Sequence, residues 1–370
     1  MEDAGSVDHE PTPVVSEEPH RAHRRGRPSK EELLPRRGKR GRRSLAHPGR
    51  LRDLVGRPWF EPAVTVVAIV ALLGGLYAYA GNWPPLVVVE SSSMQHGDHD
   101  VVGLVNTGDL VLVKKLNVPS QVTTYVQGLA SGYMTYGEYG DVLLYFPNGN
   151  TAYTPVIHRA IIWLNWNATA QEFSAPSLAA LQCGPSSYGN YEIIPPGGGG
   201  NNYGCVSSSD PNAPLSGSIN LFNVGWQSVL VSIDLSALAR QATPHSGFIT
   251  EGDDNCLGGS VCTYGSQGVY DQRGCAIVCA TVAPSWVEGV ARGMIPWFGA
   301  IKLWLSGNPQ YVPPETWDYL AATILAILVL PTVVPKLFHH LRERRAIQRG
   351  KPKPVDPEDA PDGERDDDGS

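Results

Sequence analysis

The sequence predicts a mainly β domain with large insertions, anchored by two transmembrane helices. Three observations point there. Two apolar runs divide the chain into a polar arm, a long middle segment and a polar tail. The middle segment alternates short runs rich in Val, Leu and Tyr with turns of Gly, Pro, Asn and Asp. All six cysteines fall in that same segment.

The first apolar run, Ala63 to Ala80, carries no charge and is followed by Trp83, an interface anchor. The second extends from about Trp317 to Pro335, with Asp318 at its outer end. A helix of either length crosses roughly 30 Å of hydrocarbon at about 1.5 Å per residue. Pro331 should kink the second, as transmembrane helices tolerate. Neither run has a polar face, which disfavours a soluble core, and the first lacks the short charged lead of a cleaved signal peptide. The expected organisation is a disordered basic cytoplasmic arm over 1–61, a span over 62–81, an extracytoplasmic β domain over 82–316, a span over 317–335 and a cytoplasmic tail over 336–370.

Charge sets the orientation. Arg21 to Arg57 contains 14 Lys and Arg against three acids, Glu31, Glu32 and Asp53. Lys336, Arg342, Arg344, Arg345, Arg349, Lys351 and Lys353 follow the second span. Both basic flanks should stay in the cytoplasm, which places 82–316 outside. That middle has seven basic residues against 16 acids, so the net charge of −7 hides a strong segregation. Arg25-Gly26-Arg27-Pro28 in the arm is similar to an AT-hook core. A topogenic, lipid-contacting arm explains the same charge, and no nucleic-acid partner is expected.

The even cysteine count outside the membrane favours disulfides among Cys183, Cys205, Cys256, Cys262, Cys275 and Cys279. A four-thiolate zinc site from the last four is the competing reading. Asn167-Ala168-Thr169 is a glycosylation sequon, with Asn167 the acceptor.

Leu86–Val89, Leu110–Lys114, Val142–Phe146, Val156–Leu164, Ser228–Asp234 and Gly247–Glu251 read as strands. No useful helical periodicity appears between residues 85 and 280. Residues 117–140 and 165–225, rich in Gly, Ser, Thr, Tyr, Asn and Pro, read as long surface insertions, the second partly ordered by Trp166, Phe173, Tyr191 and its two cysteines.

A serine nucleophile needs a base within hydrogen-bond reach, a third group that orients the base, and donors aimed at the oxyanion. Glu90-Ser91-Ser92-Ser93-Met94 follows a strand close behind the first span. Thr107-Gly108-Asp109-Leu110-Val111 and Gly140-Asp141-Val142-Leu143-Leu144 are turns feeding apolar strands, where the acids read as turn formers. Pro155-Val156-Ile157-His158-Arg159-Ala160-Ile161 sets a lone His in an apolar strand. Thr250-Glu251-Gly252-Asp253-Asp254-Asn255 and Tyr270-Asp271-Gln272 supply acids. His96, His99 and His245 read as exposed loop residues, and Lys114 or Lys115 as a minor alternative base.

In this order the boxes resemble signal peptidase I: Ser-x-Ser-Met, Gly-Asp-apolar, a base followed by Arg within a strand, and Gly-Asp-Asn. They extend from about residue 86 to 305, and Trp286 to Lys302 resembles the closing segment of archaeal members. His158-Arg159, where bacterial members carry Lys-Arg, resembles the archaeal and endoplasmic-reticulum branch and implies a Ser-His-Asp enzyme with an antiparallel β catalytic domain; the long basic tail, second membrane anchor and insertions favour an archaeal one. The resemblance makes Ser93 the nucleophile, His158 the general base and Ser91 a side-chain oxyanion donor. It leaves the orienting acid open between Asp271, which it favours, and Asp253, with Asp254 as a remaining choice. The chain departs from many relatives at Met94-Gln95-His96, where they carry Pro after the Met and one more residue.

The implied reaction removes N-terminal signal peptides after small residues and requires no metal or organic cofactor. The implied partners are signal peptides of secretory preproteins, the lipid bilayer and the protein-translocation machinery. Met294 to Trp304 reads as an apolar surface at the membrane interface, with a buried core strand as its rival. Two other functions fit the same features: a membrane-anchored, β-rich surface or adhesion protein without catalysis, and a membrane serine protease with another substrate.

Overall fold

A computed structural model of the chain describes residues 59–198, 202–258, 262–275 and 277–348. The basic arm with its AT-hook-like tetrapeptide, and the tail beyond 348, lie outside the described residues. The chain divides into two compact units, 1–63 and 64–370. Only residues 59–63 of the first are described, and every strand belongs to the second.

Helix α1 (Phe60–Ala80) is followed by strands β1 (Leu86–Val88) and β2 (Leu110–Lys115), then helix α2 (Tyr125–Ser131). A two-residue ribbon, β3 (Met134–Thr135) and β4 (Glu138–Tyr139), leads into β5 (Val142–Tyr145), the long β6 (Val156–Asn167) and β7 (Glu172–Ser174). Strands β8 (Tyr191–Ile194), β9 (Ser218–Val224) and β10 (Val229–Asp234) precede helix α3 (Leu235–Ala239). The last elements are β11 (Gly247–Glu251), β12 (Val287–Ile295) and helices α4 (Gly299–Leu305) and α5 (Pro314–Gln348).

The main sheet runs β1-β2-β12-β5-β6-β11 with antiparallel neighbours, and β7 pairs with the end of β6. A separate antiparallel sheet runs β10-β9-β8. The fold is thus mainly antiparallel β. All six expected strands form, with ends that differ by three residues at most.

Both faces of the main sheet are covered, which is why its central strands read as continuous apolar runs rather than alternating ones. Leu143, Tyr145, Ala160 and Phe248 pack on one face. Met94, Val111, Val142 and Leu144 pack on the other. Successive residues of a strand point to opposite faces, and directly paired residues share one. His158 pairs with Leu143 and therefore faces the first layer, while Arg159 pairs with Val142 and Glu251 and faces the second.

Two short helices join the strands, and one expectation, that of surface insertions, needs correction. Short helices occur within 85–280: α2 is opened by Thr124 and Gln127 in a capping box and closed by Gly132 at φ +79°, and α3 is capped by Asp234. Five or seven residues are too few to show periodicity. The second insertion is a built layer rather than a surface loop, because Leu178, Tyr191, Ile219, Val231 and Leu235 are buried in one cluster with Ile161 and Ile249 of the main sheet. The first insertion likewise buries Tyr125 and Val126 in that cluster.

The six cysteines form three disulfides, Cys183–Cys205, Cys256–Cys262 and Cys275–Cys279, which rules out the four-thiolate zinc reading. Cys183–Cys205 closes a loop of 22 residues within the inserted layer. Replacing both by Ser should cost about 3 kcal/mol of stability, read as a lower Tm under oxidising conditions. An unchanged Tm would show that the cross-link does not constrain the unfolded chain.

Two helices, Pro62–Ala80 and Pro314–Arg345, are long and apolar enough to cross a membrane. The second continues through Pro331 and Pro335 to Gln348, so its helical end lies 13 residues beyond the expected limit at 335. Leu, Arg, Glu and Ala after Pro335 are good helix formers. The stretch Met294 to Trp304 ends β12 and enters α4, which buries Ala300 and Leu303 and leaves Trp304 61% and Leu305 74% exposed.

Candidate active site

Ser93 lies on a turn just past the edge strand β1, closed by Gln95 N donating to Ser92 O at 2.9 Å. Met94, 1% exposed, anchors the turn in the core beside Ser93. From the opposite strand, His158 presents an imidazole that is buried in the first layer. Its Nε2 is 2.9 Å from Ser93 Oγ. Its Nδ1 is 2.8 Å from each carboxylate oxygen of Asp271. A carboxylate only accepts, so Nδ1 carries the proton and Nε2 is left to accept from the Ser93 hydroxyl.

Asp271 is itself fixed. The hydroxyls of Tyr145 and Thr250 each donate to its Oδ2 at 2.6 Å, and its backbone N donates to Thr250 O at 2.8 Å. Burial, and then the neighbouring Asp271 carboxylate, push the Tyr145 hydroxyl well above the ordinary phenol range, so it remains a donor. Tyr145 pairs with Val156 and Thr250 with Ala160, which puts both on the face of β5, β6 and β11 that carries His158. Neither residue stood out in the sequence, because a Tyr or Thr in a strand is ordinary until the register is known.

Asp253 does not reach His158. Its carboxylate takes Arg159 Nε at 2.7 Å and Nη2 at 2.6 Å, and His96 Nε2 lies 3.0 Å from its Oδ2. The physical reason is strand alternation: Arg159 faces away from His158, and the Asp253 carboxyl lies with it. Burial works to raise that carboxyl, but Arg159 and His96 outweigh it and hold it below the usual carboxylate range. Asp254 accepts from Cys262 N at 2.9 Å, while its own backbone N donates to Ser93 O at 2.8 Å. Gly252 is required here, since a Cβ would come within 2.6 Å of Ser93 O.

The Ser91 hydroxyl is exposed, with its Oγ 3.2 Å from Ser93 Oγ. His99 is exposed and faces Glu315 at 2.7 Å. His96 and His245 are corrections to the exposed-loop reading: His96 is largely enclosed, and His245 is half-buried with its ring edge-on to Trp286. Asp109 caps a turn, accepting from Asn106 N and Trp297 N at 2.9 Å each, and burial raises its carboxyl to about 6. Asp141 accepts from Thr123 N and Tyr133 OH and pairs with Arg292. Both acids are structural. Lys114 lies over the Tyr79 ring, and Lys115 is exposed. Asn167 is exposed, its side chain capping Thr169 N and Ala170 N. Among the described residues no group of three or more His, Cys, Asp or Glu is arranged to hold a metal ion.

Glu251 lies beside Asp253 and Asp271, fully buried, with Oε2 unpartnered. Burial, and then those two acids, raise its carboxyl well above the usual range. A carboxyl raised in the folded state binds its proton more tightly there than when unfolded. Its contribution to stability is therefore complete below the unfolded value near 4.3 and is lost as pH rises towards the folded value. Glu251→Gln should keep the neutral shape, so its Tm relative to the parent should climb as pH increases from about 5 to 8. A difference that stays flat or falls with pH would mean that Glu251 ionises freely.

Ser93, Ser91 and His158 open into a cleft of about 1020 Å³, with Leu86, Val88, Leu144 and Ile157 among its apolar lining. β1 is the edge strand of the main sheet along this cleft. No family model, no curated protein and no solved structure matches this chain.

Proposed function

We infer that this chain is a membrane-anchored serine endopeptidase of the signal peptidase type, which removes N-terminal signal peptides from secretory preproteins. The observation that carries the reading is the line from Ser93 Oγ through the His158 ring to Asp271, with contacts of 2.9 Å and 2.8 Å. A hydroxyl, an oriented imidazole and a buried carboxylate in that arrangement are equipped for acyl transfer.

In the proposed reaction an extended peptide lies in the cleft beside β1, where an unpaired edge supplies main-chain hydrogen bonds. Ser93 Oγ attacks the carbonyl carbon as His158 Nε2 takes the hydroxyl proton. The Ser91 hydroxyl and the Ser93 backbone N–H face the developing oxyanion. His158 then passes its proton to the leaving amine, and the mature protein departs. Water, deprotonated by His158, attacks the acyl-enzyme and releases the signal peptide. Asp271 holds the ring and stabilises the imidazolium throughout.

The membrane supports the substrate class. Ser93 lies about a dozen residues past the first apolar helix, so the nucleophile is held near the surface from which a translocated signal peptide emerges. The basic segments flanking both apolar helices favour cytoplasmic termini and an extracytoplasmic catalytic domain. Incubating vesicles that hold the full chain with a preprotein, and sequencing the new N-terminus by mass spectrometry, tests the reading. Cleavage after residues that are small at positions one and three before the cut is expected. An intact preprotein, or cuts after bulky residues, would contradict it.

A further inference from the structure

Three residues past Ser93 the chain carries a second enclosed imidazole that the triad does not use. The His96 side chain is 9% exposed, and its Nε2 meets Asp253 Oδ2 at 3.0 Å. The same carboxylate receives the Arg159 guanidinium, and Arg159 directly follows His158 in β6. The next residue, Asp254, donates its backbone N to Ser93 O. Asp253 therefore joins the turn that carries the nucleophile to the strand that carries the base. The imidazole lies flat on Trp226, with centroids 5.4 Å apart and planes 12° apart. On another side Gly137 leaves no slack, since a Cβ there would lie 3.2 Å from His96 Cε1. Trp226 comes from the turn between β9 and β10, so the inserted sheet reaches the nucleophile's turn through this ring.

We propose that His96 is a positioning residue: its hydrogen bond to Asp253 locks the Ser93–His96 turn against β6 and so fixes the Ser93 hydroxyl on the His158 ring. The inference rests on the serine-nucleophile reading above. It has a physical scale, because a displacement of about 1 Å between reacting groups costs roughly 100-fold in rate. A ring stacked on Trp226 and crowded at Cε1 by Gly137 is suited to prevent such a drift, and the link acts through backbone and ion pair without touching the scissile bond.

Two substitutions separate the hydrogen bond from the packing. His96→Gln retains an N–H donor and loses the ring; His96→Phe retains a ring on Trp226 and loses the donor. The full chain in detergent is treated with a fluorophosphonate, and the rate of Ser93 modification is followed by mass spectrometry beside preprotein cleavage and Tm. His96→Gln should label within about 3-fold of the parent and His96→Phe about 10- to 100-fold more slowly, with kcat reduced and KM unchanged. Should His96→Phe fail to fold, His96→Ala, which places no apolar ring against the carboxylate, takes its place in the comparison. Equal labelling of the donor-less variant and the parent would overturn the proposal. So would a His96→Gln variant as slow as His96→Phe, since packing alone would then explain the loss. Parent protein that labels at Ser93 yet leaves preproteins intact would sink the substrate reading and leave this inference standing. A Ser93 that never labels would remove both.

Discussion

Ser93→Ala should lower preprotein turnover by at least about 10⁴-fold while leaving the fold intact. The expected loss is large because every covalent step of the proposed reaction starts at this oxygen, and no neighbouring group replaces it. Ser91 Oγ is only 3.2 Å away, but no contact joins it to the His158 ring. Stability should change little: Ser93 is half-buried, and its turn is held by Met94 and by the backbone bond from Asp254, neither of which needs the hydroxyl. A Tm within about 2 °C of the parent is the matching expectation, since substitutions away from core or network features shift stability little. Retained turnover would exclude Ser93 as nucleophile.

The second large effect separates the two acids. Asp271→Asn should cost about 10³- to 10⁴-fold in kcat with a folded protein, because an amide in that position no longer selects the Nδ1–H form of His158. Asp253→Ala should act mainly on stability, with only the smaller loss of kcat, about 10- to 100-fold, that removal of the His96 bond brings. It leaves Arg159, 1% exposed, without its charge partner, and breaking a buried pair in this way costs about 3–5 kcal/mol. Kinetics and thermal melts on both variants read the difference directly. If Asp253→Ala lowered kcat as far as Asp271→Asn at full stability, the assignment of roles would be reversed.

The division between these acids shows what the residue order discloses and what it hides. Ser93 and His158 stood out because a Ser-x-Ser-Met box and a lone imidazole in an apolar strand are uncommon company. Consecutive His158 and Arg159 also carry a rule: they point to opposite faces, so the acid beside the arginine, whether from Gly252-Asp253-Asp254-Asn255 or from Tyr270-Asp271-Gln272, is not the one beside the imidazole. Which acid that is depends on the path of the loop 252–271, closed by the Cys256–Cys262 disulfide, and no local pattern encodes that path. Tyr145 and Thr250 emerge only once β5, β6 and β11 are in register. The inserted sheet was hidden for another reason. β8 and β9 are four and seven residues long and lie among Asn, Gly, Ser and Pro, so composition suggested loops where Tyr191, Ile219 and Leu221 in fact build a core. His96 looked like a loop residue because its partners, Asp253 and Trp226, are more than 100 positions away.

Acid-quenched trapping of a covalent intermediate tests the chemistry most directly. Full-length protein is mixed with a preprotein or a peptide ester, quenched within the first turnover, digested and mapped by mass spectrometry. The peptide containing Ser93 should carry an added acyl mass that is absent from Ser93→Ala and persists longer in Asp271→Asn. An acyl group on another residue, or preprotein cleavage with Ser93 unmodified at every time point, would mean that the hydroxyl beside His158 is not the nucleophile.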